Sequence, residues 1–114
     1  MPLDMQVERL TSPDGTAVAY VKCVGQLQSE ESHPFQARVR KLLAEHPTVV
    51  LDLCGITRLD SSGLGALTRL YLSAKHQHKS LQMANLNPLV RDLFSLTRLS
   101  EMFEVFEHFD APRM

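Results

Sequence analysis

Residues 48–53 (TVVLDL) and residues 59–65 (LDSSGLG) decide the fold of this chain. The first stretch is the most continuous apolar run, which is typical of a central strand that is covered on both faces. A loop that begins at Gly55 follows it, and the second stretch then places two adjacent serines, Ser61 and Ser62, at the start of a helix. A buried strand that leads into a helix predicts an α/β fold.

The residues before this stretch predict a hairpin and a first helix. Residues 5–10 and 16–24 have strand composition, and SPDG at residues 12–15 supplies the residues that a tight turn favours. Gly25 is expected to end the second strand, and residues 26–31 form a polar connection. The first helix is expected to open at His33-Pro34 with Ser32 as its cap, and to stop at Pro47.

The residues after this stretch complete the predicted order ββαβαβα(β). A helix is expected from about residue 61 to 78, a strand over 79–85, a third helix from Asn87-Pro88, and a short strand over 102–108. Strand–helix–strand units require parallel pairing. We therefore predict one α/β domain over residues 1–114, with 110–114 frayed. Its mixed sheet of four to five strands has a parallel core, and about three to four helices accompany it.

Composition argues against several classes of protein. The chain has 114 residues and a formal net charge of −1, so a general affinity for nucleic acid or anionic membranes is not expected. Neither a membrane-spanning run nor a signal peptide is evident, and a cytoplasmic protein is expected. Cys23 and Cys54 are expected to be small buried hydrophobic residues without a metal, because no Cys-x-x-Cys spacing occurs.

The central helix is predicted to have two distinct faces. A step of 100° per residue gathers one set of mostly apolar residues on a core face and a second set on the far face. The far face combines a hydroxyl group, a glycine and an apolar side chain, which favours contact with a partner protein. An ordinary exposed leucine and a glycine that fits a neighbouring loop are the alternative interpretations. The core face comprises Gly63, Leu67, Leu70, Tyr71 and Ala74, and the far face Ser62, Gly65, Arg69, Leu72 and His76.

The start of this helix favours negative charge. Its first backbone N–H groups lack partners within the helix, and the helix dipole adds partial positive charge there. A phosphate on a serine hydroxyl group would be tolerated at this position, and it would change the surface by about two units of charge. Simple capping of the helix by Asp60, Ser61 or Ser62 is the alternative.

Three motifs together are similar to those of the STAS domain, the anti-sigma-factor-antagonist family. They are VVLDL at 49–53, DSSGLG at 60–65 after a six-residue gap, and NPLVRDLF at 87–94. The resemblance implies that the protein binds an anti-sigma factor that is also a serine kinase. That kinase would phosphorylate Ser62 and so end the binding, and a metal-dependent serine phosphatase would restore it. No cofactor and no catalytic residue are implied, and a weak homodimer is left open.

The resemblance also implies which residues contact the partner. Asp60, Ser61 and Gly63 are expected near the contact, and Gly65, Arg69 and Leu72 extend it along the far face. Two departures from the family pattern stand out. Gln26 and Gln28 occupy a partner-facing loop that usually carries acidic residues, and Arg98 replaces the usual glycine after the third helix.

Rival functions fit the sequence less well. A receiver domain would use Asp52 as a phosphoryl acceptor, but the chain lacks the acidic pair after the first strand that such a domain needs. The Gly-x-Ser-x-Gly motif that carries the nucleophile of many hydrolases is not formed, because Asp60 stands where its first glycine should be. His76 and His78 point to different helix faces, which argues against a metal site. The alternative within the family is a constitutively bound subunit of a lipid-transport ATP-binding-cassette complex or of a stress-signalling scaffold.

Overall fold

A computed structural model describes residues 3–98 and 104–106 of the chain. The described residues form a single sheet with helices between its parallel strands. In chain order the elements are β1 (Asp4–Thr11), β2 (Ala17–Leu27), α1 (Ser29–Glu45), β3 (Thr48–Leu59), α2 (Ser61–His76), β4 (Ser80–Ala84), α3 (Pro88–Leu96) and β5 (Glu104–Phe106).

The sheet has the strand order β1-β2-β3-β4-β5, so β3 lies at its centre. The β1 strand pairs with β2 in antiparallel orientation, and every other neighbouring pair is parallel. The predicted α/β class, the mixed sheet and its parallel core are confirmed. The apolar run at residues 49–53 is buried throughout, as expected for a central strand.

The antiparallel pair closes through the predicted SPDG turn. The backbone N–H of Gly15 donates to the carbonyl of Ser12 at 2.9 Å, and Gly15 has a φ of +89° that its lack of a side chain permits. The Asp14 carboxylate accepts from the Ser12 hydroxyl group and from the Thr16 N–H, and these bonds lower the pKa of Asp14 to about 2.

All three helices share one face of the sheet. Each parallel crossover moves one strand further in the same direction, and right-handed crossovers of that kind place their helices on the same side. The main core confirms this arrangement, because alternate residues of β2, β3 and β4 pack in it with the buried residues of all three helices. The helix residues in this core are Phe35, Val39, Leu42 and Leu43 of α1, Ala66, Leu67, Leu70, Tyr71 and Ala74 of α2, and Val90 and Phe94 of α3.

The other face of the sheet contains a buried carboxylate that is hydrogen-bonded on several sides. Asp52 accepts from the Tyr20 hydroxyl group, from Asn85 Nδ2 at 3.0 Å and from the Cys54 backbone N–H at 2.9 Å. Burial and the Asp52 carboxylate raise the pKa of Tyr20. Because Asp52 is only 4% exposed and its oxygens are occupied, it is not placed to accept a phosphoryl group as a receiver aspartate would.

Two strands are longer than predicted because glycine does not end them. The β2 strand continues past Gly25 to Leu27, and β3 continues past Gly55 to Leu59. The pairing register shifts between Lys22 and Val24 and again after Gly25, so the irregularity is a bulge inside the ladder. A Cβ on Gly55 would lie 2.8 Å from Val24 Cγ2, which explains the absence of a side chain there.

The predicted start of the first helix is also wrong. Helix α1 begins at Ser29 with Gln28 as its N-cap residue, so Pro34 lies inside the helix instead of opening it. The Ser32 side chain does not cap the helix and donates to the Ser29 carbonyl at 3.3 Å. Two acidic residues in the first turn, at positions 30 and 31, favour this earlier start through the helix dipole.

The end of the third helix is close to the position that the family pattern suggested. Helix α3 ends at Leu96, and Arg98 has a left-handed φ of +61°, the conformation in which glycine is usual. The predicted strand at 102–108 is represented by β5, but its outer residues and the tail at 110–114 lie outside the described residues. Among the described helices, none is long and apolar enough to cross a membrane.

The two cysteines have different environments, which corrects the expectation that both are buried. Cys23 is buried in the main core, whereas Cys54 is exposed on β3. Burial, together with the nearby Asp52 charge, raises the pKa of the Cys23 thiol to about 12. Because the thiolate is the reactive species, Cys23 is protected both sterically and electrostatically.

We therefore expect the native protein to react rapidly with one equivalent of a thiol reagent such as DTNB. Cys54 supplies that thiol, and Cys23 reacts only after denaturation. The Cys54→Ser variant should lose the rapid phase, and Cys23→Ser should keep it. Rapid reaction of two equivalents in the native state would contradict this description of the core.

Candidate functional site

The candidate site lies where β3 leads into α2. Asp60 alone separates the two elements and serves as the N-cap residue of α2. Its Oδ1 accepts from the Gly63 backbone N–H at 3.0 Å, and its carbonyl accepts from the Leu64 N–H at 3.0 Å. Of the three residues that the sequence offered as caps, Asp60 is the one that caps the helix, and it fixes the direction in which α2 leaves the sheet.

The two serines occupy the first two positions of α2. Ser61 is exposed and Ser62 is partly exposed. Within the described part of the chain, neither hydroxyl group has a hydrogen-bond partner. The Asp60 side chain satisfies the N–H of Gly63, so the N–H groups of Ser61 and Ser62 remain available at the positive end of the helix. The hydroxyl group of Ser62 is therefore not enclosed by its own domain.

Gly63 fits against the end of β2. A Cβ at this position would lie 2.4 Å from the Leu27 carbonyl oxygen and 2.7 Å from Leu59 Cδ1, closer than real Cβ atoms approach. Gly63 is accordingly buried, as predicted for the core face. The contact brings the first turn of α2 directly against Leu27.

Gly65 has a different environment from Gly63. A Cβ on Gly65 would meet only the guanidinium group of Arg69, at 3.2 Å from Nη1. Arg69 is exposed, and its Nε donates to Gln36 Oε1 of α1 at 3.3 Å. The backbone at Gly65 is therefore covered only by the end of a flexible side chain, which a partner could displace.

The far face of α2 is open to solvent, as the periodicity predicts. Leu72 is 52% exposed, although an apolar side chain of this size is usually buried. His76 and Arg69 are also exposed, and Ser62 and Gly65 are partly exposed. The predicted core face is buried, since Gly63, Leu67, Leu70, Tyr71 and Ala74 are all among the buried residues of α2.

Gln26 and Gln28 flank the residue that touches Gly63. Gln26 lies within β2 instead of in the predicted loop, and Gln28 is the N-cap residue of α1. Both are partly exposed. Because Leu27 lies between them, the structure places this short segment beside the first turn of α2.

Arg58 was not singled out from the sequence, and the structure adds it to this region. It is an exposed residue near the end of β3, and it pairs in register with Gln26. The only feature of the sequence that could have drawn attention to Arg58 is its position two residues before Asp60. Arg58 therefore adds one positive charge to β3 two residues before the Asp60 cap. Within residues 3–98 and 104–106, no cluster of histidine, cysteine or acidic side chains is arranged to hold a metal ion.

Gly63 and Gly65 give a matched test of how closely each side of α2 is packed. Gly63→Ala should destabilise the fold by about 2–3 kcal/mol, because the new methyl group collides with backbone. Gly65→Ala should stabilise it by about 0.5–1 kcal/mol, because alanine favours the helix and Arg69 can move. Thermal or urea unfolding of both variants measures the difference. Equal changes in the free energy of unfolding for the two variants would contradict the different packing of Gly63 and Gly65.

A family model described as "Mlab, STAS domain" matches residues 13–105. The chain is also 26% identical over 101 residues to a STAS-domain containing protein of Pseudomonas aeruginosa, covering 89% of this chain and 99% of that protein. The matched residues extend from the β1–β2 turn to β5 and include the whole candidate site.

Solved structures show the same fold. An anti-sigma factor antagonist from Mycobacterium paratuberculosis superposes with a TM-score of 0.79 at 23% identity, covering 95% of this chain and 88% of that one. The Bacillus cell fate determinant SpoIIAA in its phosphorylated form gives a TM-score of 0.66 at 16% identity, with 90% of each chain covered. By its match to the family model over most of its length, this chain belongs to the STAS domain family.

Proposed function

We propose that the protein is an anti-sigma-factor antagonist that is regulated by phosphorylation of Ser62. In its unmodified form it binds an anti-sigma factor that is also a serine kinase, and this binding frees the sigma factor. Phosphorylation of Ser62 ends the binding, and a metal-dependent serine phosphatase restores it. The protein acts in this scheme as a binding module and not as an enzyme.

The observation that carries the proposal is the position of Ser62. Its hydroxyl group is accessible at the start of α2 and shares one helix face with Gly65, Arg69 and Leu72. A kinase that docks on this face would meet an unoccupied hydroxyl group, a backbone that allows close approach at Gly65 and an apolar anchor. The similarity of the fold to solved anti-sigma factor antagonists gives the proposal further support.

Electrostatics explains how one phosphate could reverse the binding. A phosphoserine carries about −1.5 to −2 charges, and here it would lie beside the Asp60 carboxylate. Burying that charge in an interface without compensation costs several kcal/mol. A loss of about 4 kcal/mol corresponds to a roughly thousandfold weaker complex. In the free protein, the N–H groups at the start of α2 and the helix dipole offset part of the charge, so the fold is retained.

A direct test uses the anti-sigma-factor kinases encoded in the source genome. Incubation with the correct kinase and ATP should place one phosphate on Ser62, located by mass spectrometry. Ser61→Ala should still be labelled and Ser62→Ala should not. If Ser62→Ala is labelled as well as the unaltered chain, a different residue carries the modification and the proposal fails at its central residue.

Ser62→Asp should abolish binding to that kinase while changing the melting temperature by only a few degrees. The added carboxylate imitates part of the phosphate charge at a surface that the partner must cover. Calorimetric titration measures the affinity, and Ser95→Asp on the exposed part of α3 is the matched control, which should bind normally. Full-strength binding by Ser62→Asp would instead fit a constitutively bound STAS subunit.

Leu72→Glu should weaken the same complex by about tenfold or more, because it replaces an apolar anchor with a charge at the interface. The control is Leu89→Glu on α3, which changes a leucine of comparable exposure, 41% against 52%. That control should bind like the unaltered chain. An unchanged affinity for Leu72→Glu would remove Leu72 from the interface.

A further inference from the structure

The side chain of Arg69 runs back along α2 towards Ser62. Its Nη1 and Nη2 atoms lie 3.2 Å and 3.6 Å from the position that a Cβ on Gly65, one turn earlier in the helix, would occupy. Helical side chains lean towards the N-terminus of their helix, which is the direction of Ser62. The guanidinium group therefore covers the backbone at Gly65 instead of extending into solvent.

A phosphate on Ser62 would come within reach of this guanidinium group. Ser62 and Arg69 are seven residues apart, so they differ by only about 20° around the helix axis. Gly65 lies between them, and residues three apart on a helix have Cβ atoms about 5–6 Å apart. Because a phosphate extends the Ser62 side chain further across this face, its oxygens and the Nη groups of Arg69 can meet above Gly65.

The guanidinium group of Arg69 has donors to spare. Its Nε donates to Gln36 Oε1 on α1 at 3.3 Å, and within the described part of the chain no other hydrogen bond or ion pair involves Arg69. The contact with Gln36 holds the group by one edge and leaves both Nη groups unpaired. A phosphate accepts parallel N–H bonds from arginine, so the free edge of Arg69 matches it.

Neither helix beside Arg69 offers it a carboxylate. Helix α2 contains no acidic residue, and residues 32–44 of α1 contain none. The acidic residue nearest to Arg69 in the sequence is Asp60, which caps the helix through its bond with the Gly63 N–H. The far face of α2 thus presents a cation without an anion, and phosphorylation of Ser62 would supply the anion.

Three other basic side chains lie on the neighbouring elements. Arg58 is exposed on β3 two residues before the cap, and His33 and Arg40 are exposed on α1 within one turn of Gln36. The three atoms nearest to a Cβ on Gly65 nevertheless all belong to Arg69. Arg69 is therefore the cation that the far face of α2 itself supplies.

We propose that a phosphate on Ser62 pairs with Arg69 and holds its guanidinium group over Gly65. In the unmodified protein a partner displaces this flexible side chain and approaches the Gly65 backbone. In the phosphorylated protein the same side chain is held by Gln36 at one edge and by the phosphate at the other. The pairing rests on the proposed phosphorylation of Ser62, and it adds steric exclusion at Gly65 to the charge effect that ends the binding.

The test introduces phosphoserine at residue 62 during translation, so that no kinase is required. The second ionisation of this phosphate has its midpoint at about pH 6, and ³¹P NMR measures it in the free full-length protein. The measurement is repeated with Arg69→Gln and with the charge-matched variant Arg58→Gln. Phosphoserine at residue 61, about 100° round the helix from Ser62, is the control for position.

Arg69→Gln should raise the ionisation midpoint of the phosphoserine at residue 62 by about half a pH unit, because an exposed ion pair that favours the dianion is lost. Arg58→Gln should raise it by less. The phosphoserine at residue 61 should titrate at the same pH with and without Arg69→Gln. Melting curves confirm that each variant is folded.

The motion of the Arg69 side chain gives a second readout. The {¹H}–¹⁵N nuclear Overhauser effect at Arg69 Nε should increase when residue 62 is phosphoserine, because the phosphate fixes the guanidinium group. It should not increase when residue 61 is phosphoserine.

Four results would overturn the proposal. They are an unchanged midpoint in Arg69→Gln, a change no larger than that of Arg58→Gln, an equal change for the phosphoserine at residue 61, and an unchanged Overhauser effect at Arg69 Nε. Failure of the proposed function appears separately, as a lack of kinase labelling at Ser62, since the phosphoserine in this test is introduced without a kinase.

Discussion

The contact between the Leu27 carbonyl and Gly63 sets the position of α2, and the candidate site depends on that position. A side chain at residue 63 would lie 2.4 Å from the carbonyl oxygen, so only glycine lets the helix start this close to the end of β2. Asp60 then caps the helix within a single residue of β3. Together these contacts fix where the first turn of α2 begins, with its core face buried and its far face directed away from the sheet.

The topology explains why one side of α2 stays open although the domain is small. Because α1, α2 and α3 all lie on one face of the sheet, α2 is the middle helix, and its outer side is available to a partner. The antiparallel β1 strand extends the sheet beyond α1 and leaves a groove there.

Local patterns in the sequence predicted the parts of the structure that depend on local physics. The buried run at residues 49–53, the SPDG turn, the Asp60 cap and the core face of α2 follow from hydrophobic periodicity and capping preferences. Gly25 and Gly55 were misinterpreted as strand ends, because the bulge that accommodates them depends on the register of the neighbouring strand. Cys54 is exposed because it alternates with the core residue Leu53 and lies on the other face of the sheet. The contacts of Leu27 with Gly63 and of Gln36 with Arg69 join residues more than 30 positions apart, so no local pattern could reveal them.

The proposed function requires that a phosphate on Ser62 changes the surface of α2 without disturbing the fold beneath it. The most direct measurement incorporates phosphoserine at position 62 during translation and compares the amide NMR spectra and melting curves of the two forms. We expect the shift changes to be confined to the first turns of α2 and to the adjoining end of β2, with cooperative unfolding preserved. Changes throughout the sheet, or loss of cooperative unfolding, would contradict it.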